Sequence, residues 1–214
     1  PCNVGWIYSV QVSGLDAALK TAFDAAIAVN PAIKVVADTA QSYYTGAGGL
    51  ALLAGVLLLG QIAGSFKLDV VLAAGDRIRA DPGYVPMLLL ILFAVFTKSA
   101  QFPWHFWLPE AMAAPTPVSA YLHSATLVKA GIFLMARLHP ALAGTDLWFW
   151  VVGGTGLATL LGGAYLAVFQ HDLKGLLAYS TISHLGLITL LFGLDNALAV
   201  VAGVFHILNH ATFK

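Results

Sequence analysis

Long apolar runs, each about as long as a bilayer is thick, constrain this sequence most. A transmembrane helix needs about 20 mostly apolar residues, because the hydrocarbon core is about 30 Å thick and each residue adds about 1.5 Å. Residues 147–169 meet this requirement without a charged side chain. The sequence therefore predicts an all-α polytopic membrane protein with spans at 46–66, 84–102, 117–138, 147–169 and 175–194, and a sixth from Ala197 onward. A charged loop at 67–82 follows the first span, and the short connections predict antiparallel packing of neighbouring helices. Small residues in the spans allow close helix approach in lipid, among them Gly153, Gly154, Gly156, Gly162 and Gly163.

The composition excludes several other classes of protein. Hydrophobic residues make up 59% of the chain and charged residues 9%, whereas soluble proteins carry about 25% charged residues. Ten basic and ten acidic side chains give zero net charge, which excludes a general nucleic-acid binder because phosphates attract a basic surplus. High hydrophobicity excludes disorder. The single Cys2 excludes a disulfide scaffold and a cysteine-built metal cluster.

Residues 1–45 have a different pattern of apolar residues from the rest of the chain. A strand-like stretch, an amphipathic helix at 15–29 and a second short strand predict a soluble α/β pattern, which vaguely resembles the opening of a periplasmic sugar-binding protein. The alternatives are a leader or foreign sequence. We therefore divide the chain into an unassigned segment, 1–45, and a membrane region, 46–214. The chain starts without Met and stops inside a predicted helix, so we expect a fragment of a longer protein.

Ionisable side chains recur within or at the edges of the apolar runs. A charged residue near the bilayer centre costs about 2.5–3.5 kcal/mol on insertion scales. One such residue can snorkel to the interface, but seven over four of the predicted spans favour a functional polar track. The seven residues are Lys98, His123, Lys129, His184, His206, His210 and Lys214.

The last predicted helix carries three of these residues on one face. His206, His210 and Lys214 are spaced by four positions, which places them along one side of a helix. The alternatives are interior histidines with satisfied hydrogen bonds, a pair of metal ligands, or a proton relay. No third ligand and no intervening Glu are visible, so the pattern favours a relay over a metal. We predict no metal and no cofactor.

A helix break is predicted beside Lys98. Pro103 has no amide proton and clashes with the carbonyl four residues earlier, at Ser99. A broken helix frees backbone carbonyls beside a buried ammonium, which is a recurring way to build an ion site in transporters. The alternative is that Pro103 ends the span. An aromatic cluster and Glu110 then lead into the 117–138 span.

Three ordered motifs carry a resemblance to a known family. The sequence closely resembles the antiporter-like subunits of respiratory complex I, and more closely the large A-type component of Mrp multisubunit sodium/proton antiporters. The preference for the Mrp type rests on residues 105–107 and on the context of Lys129. The motifs are FTKSAQFPWHFWLPEAMAAPTPVSAYLHSATLVKAG (96–131), HDLKGLLAYSTISHLG (171–186) and FHILNHATFK (205–214).

The resemblance implies a fourteen-helix core of two inverted five-helix repeats, each with one broken helix. Lys98 would be the broken-helix lysine at the centre of the proton path, with His123 as its neighbour on the next helix. The relay would continue through Lys129, His206, His210 and Lys214. The resemblance gives Lys174 and Asp172 a structural or modest relay role, makes Glu110 a secondary residue, and gives His184 little, because relatives often carry Gln there.

The implied function is that of a proton-conducting subunit in the bacterial inner membrane. It would couple inward proton flow to sodium efflux together with other subunits of a multisubunit complex, with H⁺ and Na⁺ as its ions, lipid around it and no nucleic acid. One alternative is the proton channel of respiratory NADH:quinone oxidoreductase, and another is a solute-binding fragment fused to membrane helices. The family's partner glutamate lies outside the matched residues, so we expect the fragment alone not to transport.

Overall fold

The computed structural model describes residues 42–111, 127–194 and 196–213, and the regular structure within these ranges is entirely helical. The all-α prediction is therefore confirmed for this part of the chain. The prediction for residues 1–45 lies outside the described residues, apart from 42–45, which open the first helix. The helices are α1 (Ser42–Ala63), α2 (Leu68–Ala73), α3 (Gly75–Ala80), α4 (Tyr84–Lys98), α5 (Trp107–Glu110), α6 (Leu127–Leu142), α7 (Asp146–Val168, with a π-helical turn at Phe149–Gly153), α8 (Leu173–Gly193) and α9 (Ala197–Phe213).

Among the described helices, three are long and apolar enough to cross a membrane. They are the Gly46–Ala63 part of α1, the whole of α7 and the whole of α8, while α4 and α9 are apolar but shorter. The spans predicted at 46–66, 147–169 and 175–194 thus correspond to α1, α7 and α8, with small differences at their ends. Apolar run length was enough to locate these spans.

Polar caps set two of the helix ends that hydrophobicity did not locate. The Thr145 hydroxyl accepts a hydrogen bond from the Trp148 amide (3.1 Å) at the start of α7. The Asp172 carboxylate accepts one from the Gly175 amide (2.6 Å) at the start of α8. Because such caps satisfy amides that have no partner within the helix, they allow a helix to begin just outside its apolar run.

Glycines bring α7 and α8 into backbone contact. A Cβ on Gly156 would collide with the Leu190 backbone, and a Cβ on Gly163 would lie 2.7 Å from the Ser183 amide nitrogen. Since the partner's number falls as the residue number on α7 rises, the two helices run antiparallel. Small residues allow this close approach in lipid. The neighbouring Gly162 was expected to contribute, but a Cβ there would meet nothing within 4 Å.

Helices α1 and α4 use the same kind of contact. A Cβ on Gly48 would collide with the Thr97 hydroxyl, and a Cβ on Gly55 would lie 2.7 Å from Ile91 Cγ1. This pair is also antiparallel. The short connections of the predicted spans indicated this arrangement correctly.

The segment 67–82, interpreted as a charged loop, contains two short helices instead. Helix α2 buries Val71 and helix α3 buries Ile78 against the core. The loop prediction was wrong because six of the chain's twenty charges fall between Lys67 and Asp81, and they obscure the few apolar positions of two amphipathic turns.

Helix α6 extends past the predicted end at residue 138, through Pro140 to Leu142. Side chains from elsewhere satisfy its terminal carbonyls. Arg79 Nη1 donates to the carbonyls of Pro140 (3.2 Å), Ala141 (3.4 Å) and Ala143 (3.1 Å), and the Tyr84 hydroxyl donates to Leu142 (2.6 Å). These bonds satisfy carbonyls at the carboxyl end of α6 that have no amide partner within the helix, and so support one further turn.

Candidate functional site

The chain leaves the helical conformation immediately after Lys98. The Gln101 amide donates back to the Phe96 carbonyl (3.0 Å), and Ala100 between them has φ 48°. This six-to-one bond around a left-handed residue is the Schellman arrangement that ends helices. The position normally favours glycine, because the left-handed conformation costs roughly 1–2 kcal/mol for a residue with a Cβ.

The helix break predicted beside Lys98 is therefore confirmed, but the predicted end of the span at residue 102 was wrong. The 84–102 span ends at Lys98, five residues before Pro103. The termination signal is the left-handed Ala100, which the proline rule does not detect. Pro103 lies in the non-helical link 99–106 between α4 and α5, so it excludes a helical continuation without ending α4.

Side chains supply donors to the carbonyls that the break releases. The Trp107 indole Nε1 donates to the Thr97 carbonyl (3.1 Å), and the Gln101 side-chain amide donates to the Ser99 carbonyl (3.2 Å). These bonds matter because an unsatisfied backbone group at membrane depth costs several kcal/mol. Part of the aromatic cluster that was interpreted as an interfacial belt thus closes the break.

Helix α6 crosses the end of α4 at this break. The Ile132 amide donates to the Ser99 hydroxyl (3.2 Å), and a Cβ on Gly131 would collide with the same hydroxyl. Lys98 immediately precedes Ser99, and Lys129 lies two positions before Gly131. The two lysines therefore flank one helix crossing.

The two lysines are both withdrawn from solvent, to different degrees. Lys129 is only 6% exposed, whereas Lys98 is half-buried in the last turn of α4. The negative end of a helix dipole stabilises a cation in such a last turn. Within the ranges that the structure describes, Lys98 makes no salt bridge or hydrogen bond.

Three histidines and Lys129 form a cluster between α6, α8 and α9, in which His210 and Lys129 are buried and His184 and His206 are half-buried. His184 Nδ1 on α8 and His206 Nε2 on α9 lie 3.1 Å apart. The ring of His210 packs against His184 with centroids 5.2 Å apart, and His210 is fully buried. The ammonium of Lys129 lies within electrostatic range of His206. We call these four residues the histidine–lysine cluster.

This cluster lies at about the middle of the apolar layer. His184 is 11 residues after the start of α8 and His206 is nine residues after the start of α9. At 1.5 Å per residue these positions are about 16 Å and about 14 Å along their helices, roughly half of a 30 Å hydrocarbon core. Snorkelling to an interface therefore does not explain them.

A metal site was the less favoured alternative for His206 and His210. Among the described residues, no group of three or more His, Cys, Asp or Glu side chains is placed to hold a metal ion. His184 and His210 meet through tilted ring packing, with 49° between the ring planes. The cluster is suited to hydrogen bonding and proton exchange among nitrogens.

The other predicted site residues have different positions. Asp172 caps α8, and Lys174 is half-buried in the first turn of that helix. Ten residues, about 15 Å along the axis, separate Lys174 from the cluster, so the two are not in contact along α8. His123, Lys214 and the side chain of Glu110 lie outside the described residues.

His184 is the residue that sequence reasoning undervalued. The resemblance gave it little role, yet it contacts both His206 and His210. Its position was the available signal, because a histidine near the centre of an apolar 21-residue helix is a candidate functional group in a membrane protein.

Comparison with known proteins agrees with this architecture. Residues 27–214 match the family described as "NADH:quinone oxidoreductase/Mrp antiporter, TM". The chain belongs to this family of membrane subunits, in which the Mrp antiporter and complex I lines are joined. The match begins upstream of residue 46, inside the segment that we left unassigned.

Two curated relatives within this family are named as A-type components of antiporters. The chain is 67% identical over 170 residues to the A/B subunit of a probable K(+)/H(+) antiporter from Rhizobium meliloti, covering 79% of this chain and 17% of that protein. It is 50% identical over 181 residues to the A-type subunit of the Na(+)/H(+) antiporter from Alkalihalophilus pseudofirmus, covering 78% and 22%. The resemblance to the A-type component of Mrp antiporters is thereby confirmed.

Two solved structures share the fold. The Mrp complex from Dietzia sp. DQ12-45-1b superposes with a TM-score of 0.76 at 44% identity, covering 79% of this chain and 19% of that one. The membrane-bound sulfane sulfur reductase, an archaeal respiratory membrane complex, superposes with a TM-score of 0.70 at 33% identity, covering 82% and 37%. The chain thus spans about a fifth of the length of the A-type relatives that it matches.

Proposed function

We propose that this chain is a proton-conducting part of the A-type component of an Mrp antiporter, and that its buried lysines and histidines pass protons that drive sodium out of the cell. The observation that carries the proposal is the hydrogen bond between His184 and His206, inside a cluster that also holds His210 and Lys129. Ionisable groups among apolar helices are costly and mark ion paths. Four of them brought together from three helices are best explained as carriers of protons.

Imidazole chemistry suits such a relay. A neutral ring carries a donor on one nitrogen and an acceptor on the other, so a proton can arrive at one nitrogen while the other releases its own. His184 and His206 are already within hydrogen-bond distance (3.1 Å). Proton movement then needs only reorientation of rings and an exchange of the shared proton.

The broken helix supplies the position of Lys98. Its ammonium lies in the last turn of α4, where the carbonyl end of the helix carries partial negative charge. Lys98 adjoins Ser99, and Lys129 is two positions before Gly131, so both lysines are close in sequence to the contact between α4 and α6. We propose that a proton passes from Lys98 through water to Lys129, and then into the histidines. His123 and Lys214 belong to the proposed relay on the family resemblance alone.

The proposed physiological setting is a multisubunit complex in a bacterial inner membrane. The relatives described above are named as parts of antiporters, and the Dietzia structure is titled as a complex. One relative is named for potassium and another for sodium. We retain sodium as the exported ion and treat potassium as the outcome that would correct this part of the proposal.

Proteoliposomes containing the complete parent complex test the function. A pH-sensitive dye inside the vesicles reports proton movement when a gradient of NaCl, KCl or choline chloride is imposed. We expect proton movement with sodium and none with choline. Exchange with potassium but not sodium would change the cation in the proposal and leave the proposed antiporter activity in place. No exchange with either cation would overturn the proposal.

The second candidate is a proton channel in a redox-driven complex. It is favoured by the 33% identity to the archaeal respiratory complex and by a family that also includes NADH:quinone oxidoreductase subunits. In that case proton movement would follow addition of an electron donor and acceptor and would not need a sodium or potassium gradient. The same vesicles distinguish the two candidates.

A further inference from the structure

The Thr159 hydroxyl connects α7 to the non-helical link 99–106 that follows α4. Thr159 Oγ1 accepts a hydrogen bond from the Phe102 amide (2.9 Å) and donates one to the Thr155 carbonyl (2.7 Å). Thr159 is only 1% exposed. Its hydroxyl therefore uses both an acceptor site and its only proton.

The Phe102 amide is a hydrogen-bond donor near the middle of the non-helical link 99–106. The next residue, Pro103, has no amide, and Ala100 is held in the left-handed conformation on the other side. Loss of the Thr159 acceptor would remove the hydrogen-bond partner of the Phe102 amide, and an amide without a partner costs free energy where water is excluded. The anchor thus fixes the backbone four residues after Lys98.

The support beneath this anchor is rigid. A Cβ on Gly186 of α8 would lie 2.8 Å from the carbonyl carbon of Thr159, so α8 packs directly against the backbone that carries the hydroxyl. The break in α4 is therefore tied, through Thr159, to the closely packed pair α7 and α8. Helix α8 also carries His184.

We propose that Thr159 is a positioning residue for proton transfer, and that it acts by holding the break of α4 so that Lys98 keeps its place relative to Lys129. Thr159 does not itself carry protons in this proposal. The inference rests on the proposed relay for its functional consequence, whereas the anchor itself is a physical contact that is tested independently.

The chain offers close controls. Thr159→Ser keeps the hydroxyl, and Thr159→Val keeps the shape and removes both bonds. Thr189 is equally buried, and its hydroxyl donates to the Leu185 carbonyl (2.9 Å) within its own helix. Thr189→Val therefore removes a buried threonine hydroxyl that anchors no other segment.

The experiment uses the complete complex in proteoliposomes and measures cation/proton exchange against pH. We expect Thr159→Val to slow exchange about tenfold, equivalent to about 1.4 kcal/mol of activation free energy, and to change the shape of the pH profile. Thr159→Ser and Thr189→Val should retain the wild-type rate and profile. A wild-type rate and profile in Thr159→Val would overturn the proposal, as would an equal loss in Thr189→Val.

Amide hydrogen exchange of the purified complex separates this inference from the relay. Peptides covering 99–106 should take up deuterium about tenfold faster in Thr159→Val than in wild type or Thr189→Val. Unchanged uptake would refute the anchor whatever the transport result, including for a variant that assembles poorly. If deuterium uptake is faster in Thr159→Val but substitution of Lys98 leaves transport unchanged, the hydrogen-bond anchor is supported and the proton relay is rejected.

Discussion

His184 Nδ1 and His206 Nε2 lie 3.1 Å apart and join α8 to α9 near the middle of the apolar layer. A hydrogen bond between two imidazole nitrogens requires one to carry a proton and the other to lack it. The two rings therefore cannot both be fully protonated while the bond persists.

His184 is the first residue to test in this pair. His184→Gln retains an amide that can bond to His206 but cannot exchange a proton with it in the same way, so we expect exchange to slow about tenfold with an altered pH profile. The measurement is sodium-driven proton movement in proteoliposomes across about pH 6 to 9, a range that includes the ordinary histidine pKa of about 6.5. His171→Gln, in the exposed turn before α8, is the control and should behave as wild type. An unchanged profile in His184→Gln would remove His184 from the relay.

Lys98 is expected to be indispensable because a relay group must release its proton as well as bind it. Lys98→Ala removes the carrier, and Lys98→Arg keeps the charge on a group that does not deprotonate in proteins. Both variants should abolish cation-coupled proton movement while the complex still assembles. Lys67→Ala, at an exposed lysine before α2, should retain activity. Exchange at the wild-type rate in Lys98→Arg would show that charge alone is required there.

The contact between α7 and α8 gives a matched pair of adjacent glycines. In Gly163→Ala the new methyl would lie 2.7 Å from the Ser183 amide nitrogen, which belongs to backbone and cannot move aside cheaply. We expect a loss of about 1–3 kcal/mol in stability. In Gly162→Ala the methyl meets nothing within 4 Å, and the helix should gain up to about 1 kcal/mol.

Thermal unfolding of the detergent-solubilised complex measures this difference. The Gly163→Ala complex should unfold at a lower temperature than wild type, and the Gly162→Ala complex at the same or a higher one. Equal destabilisation by both variants would show that the helices do not approach through Gly163.

Arg79 should stabilise the end of α6 through its bonds to three carbonyls. Arg79→Ala leaves those carbonyls without their donor, and we expect a loss of about 1–3 kcal/mol. Its bond to Asp76 (2.6 Å) should contribute little, because Asp76 is fully exposed. Arg77→Ala, two positions away on an exposed side chain, is the control. Comparable Tm values for the two variants would contradict the assignment.

Run length and hydrophobicity were sufficient to predict the helical class and the positions of α1, α7 and α8, because the bilayer imposes both. They did not resolve α2 and α3, whose few apolar positions lie among charges. The end of α6 was also missed, because it depends on Arg79, which is 61 positions away from Pro140. Long-range bonds of that kind leave no local pattern in a sequence.

For the site, sequence reasoning identified the residue types but not all of the contacts. Spacing predicted that His206 and His210 share a face, and both contact His184 in the structure. The role of His184 was missed because resemblance was given more weight than membrane depth. The left-handed Ala100 was also missed, since alanine carries no turn signal.

The backbone contact between α7 and α8 divides the bundle into parts of unequal stiffness. Helices that meet through glycines have almost no room to slide, whereas α8 and α9 meet around imidazole rings that can turn. We therefore expect any helix movement that accompanies ion exchange to occur at the contact between α8 and α9, while α7 and α8 stay fixed relative to each other.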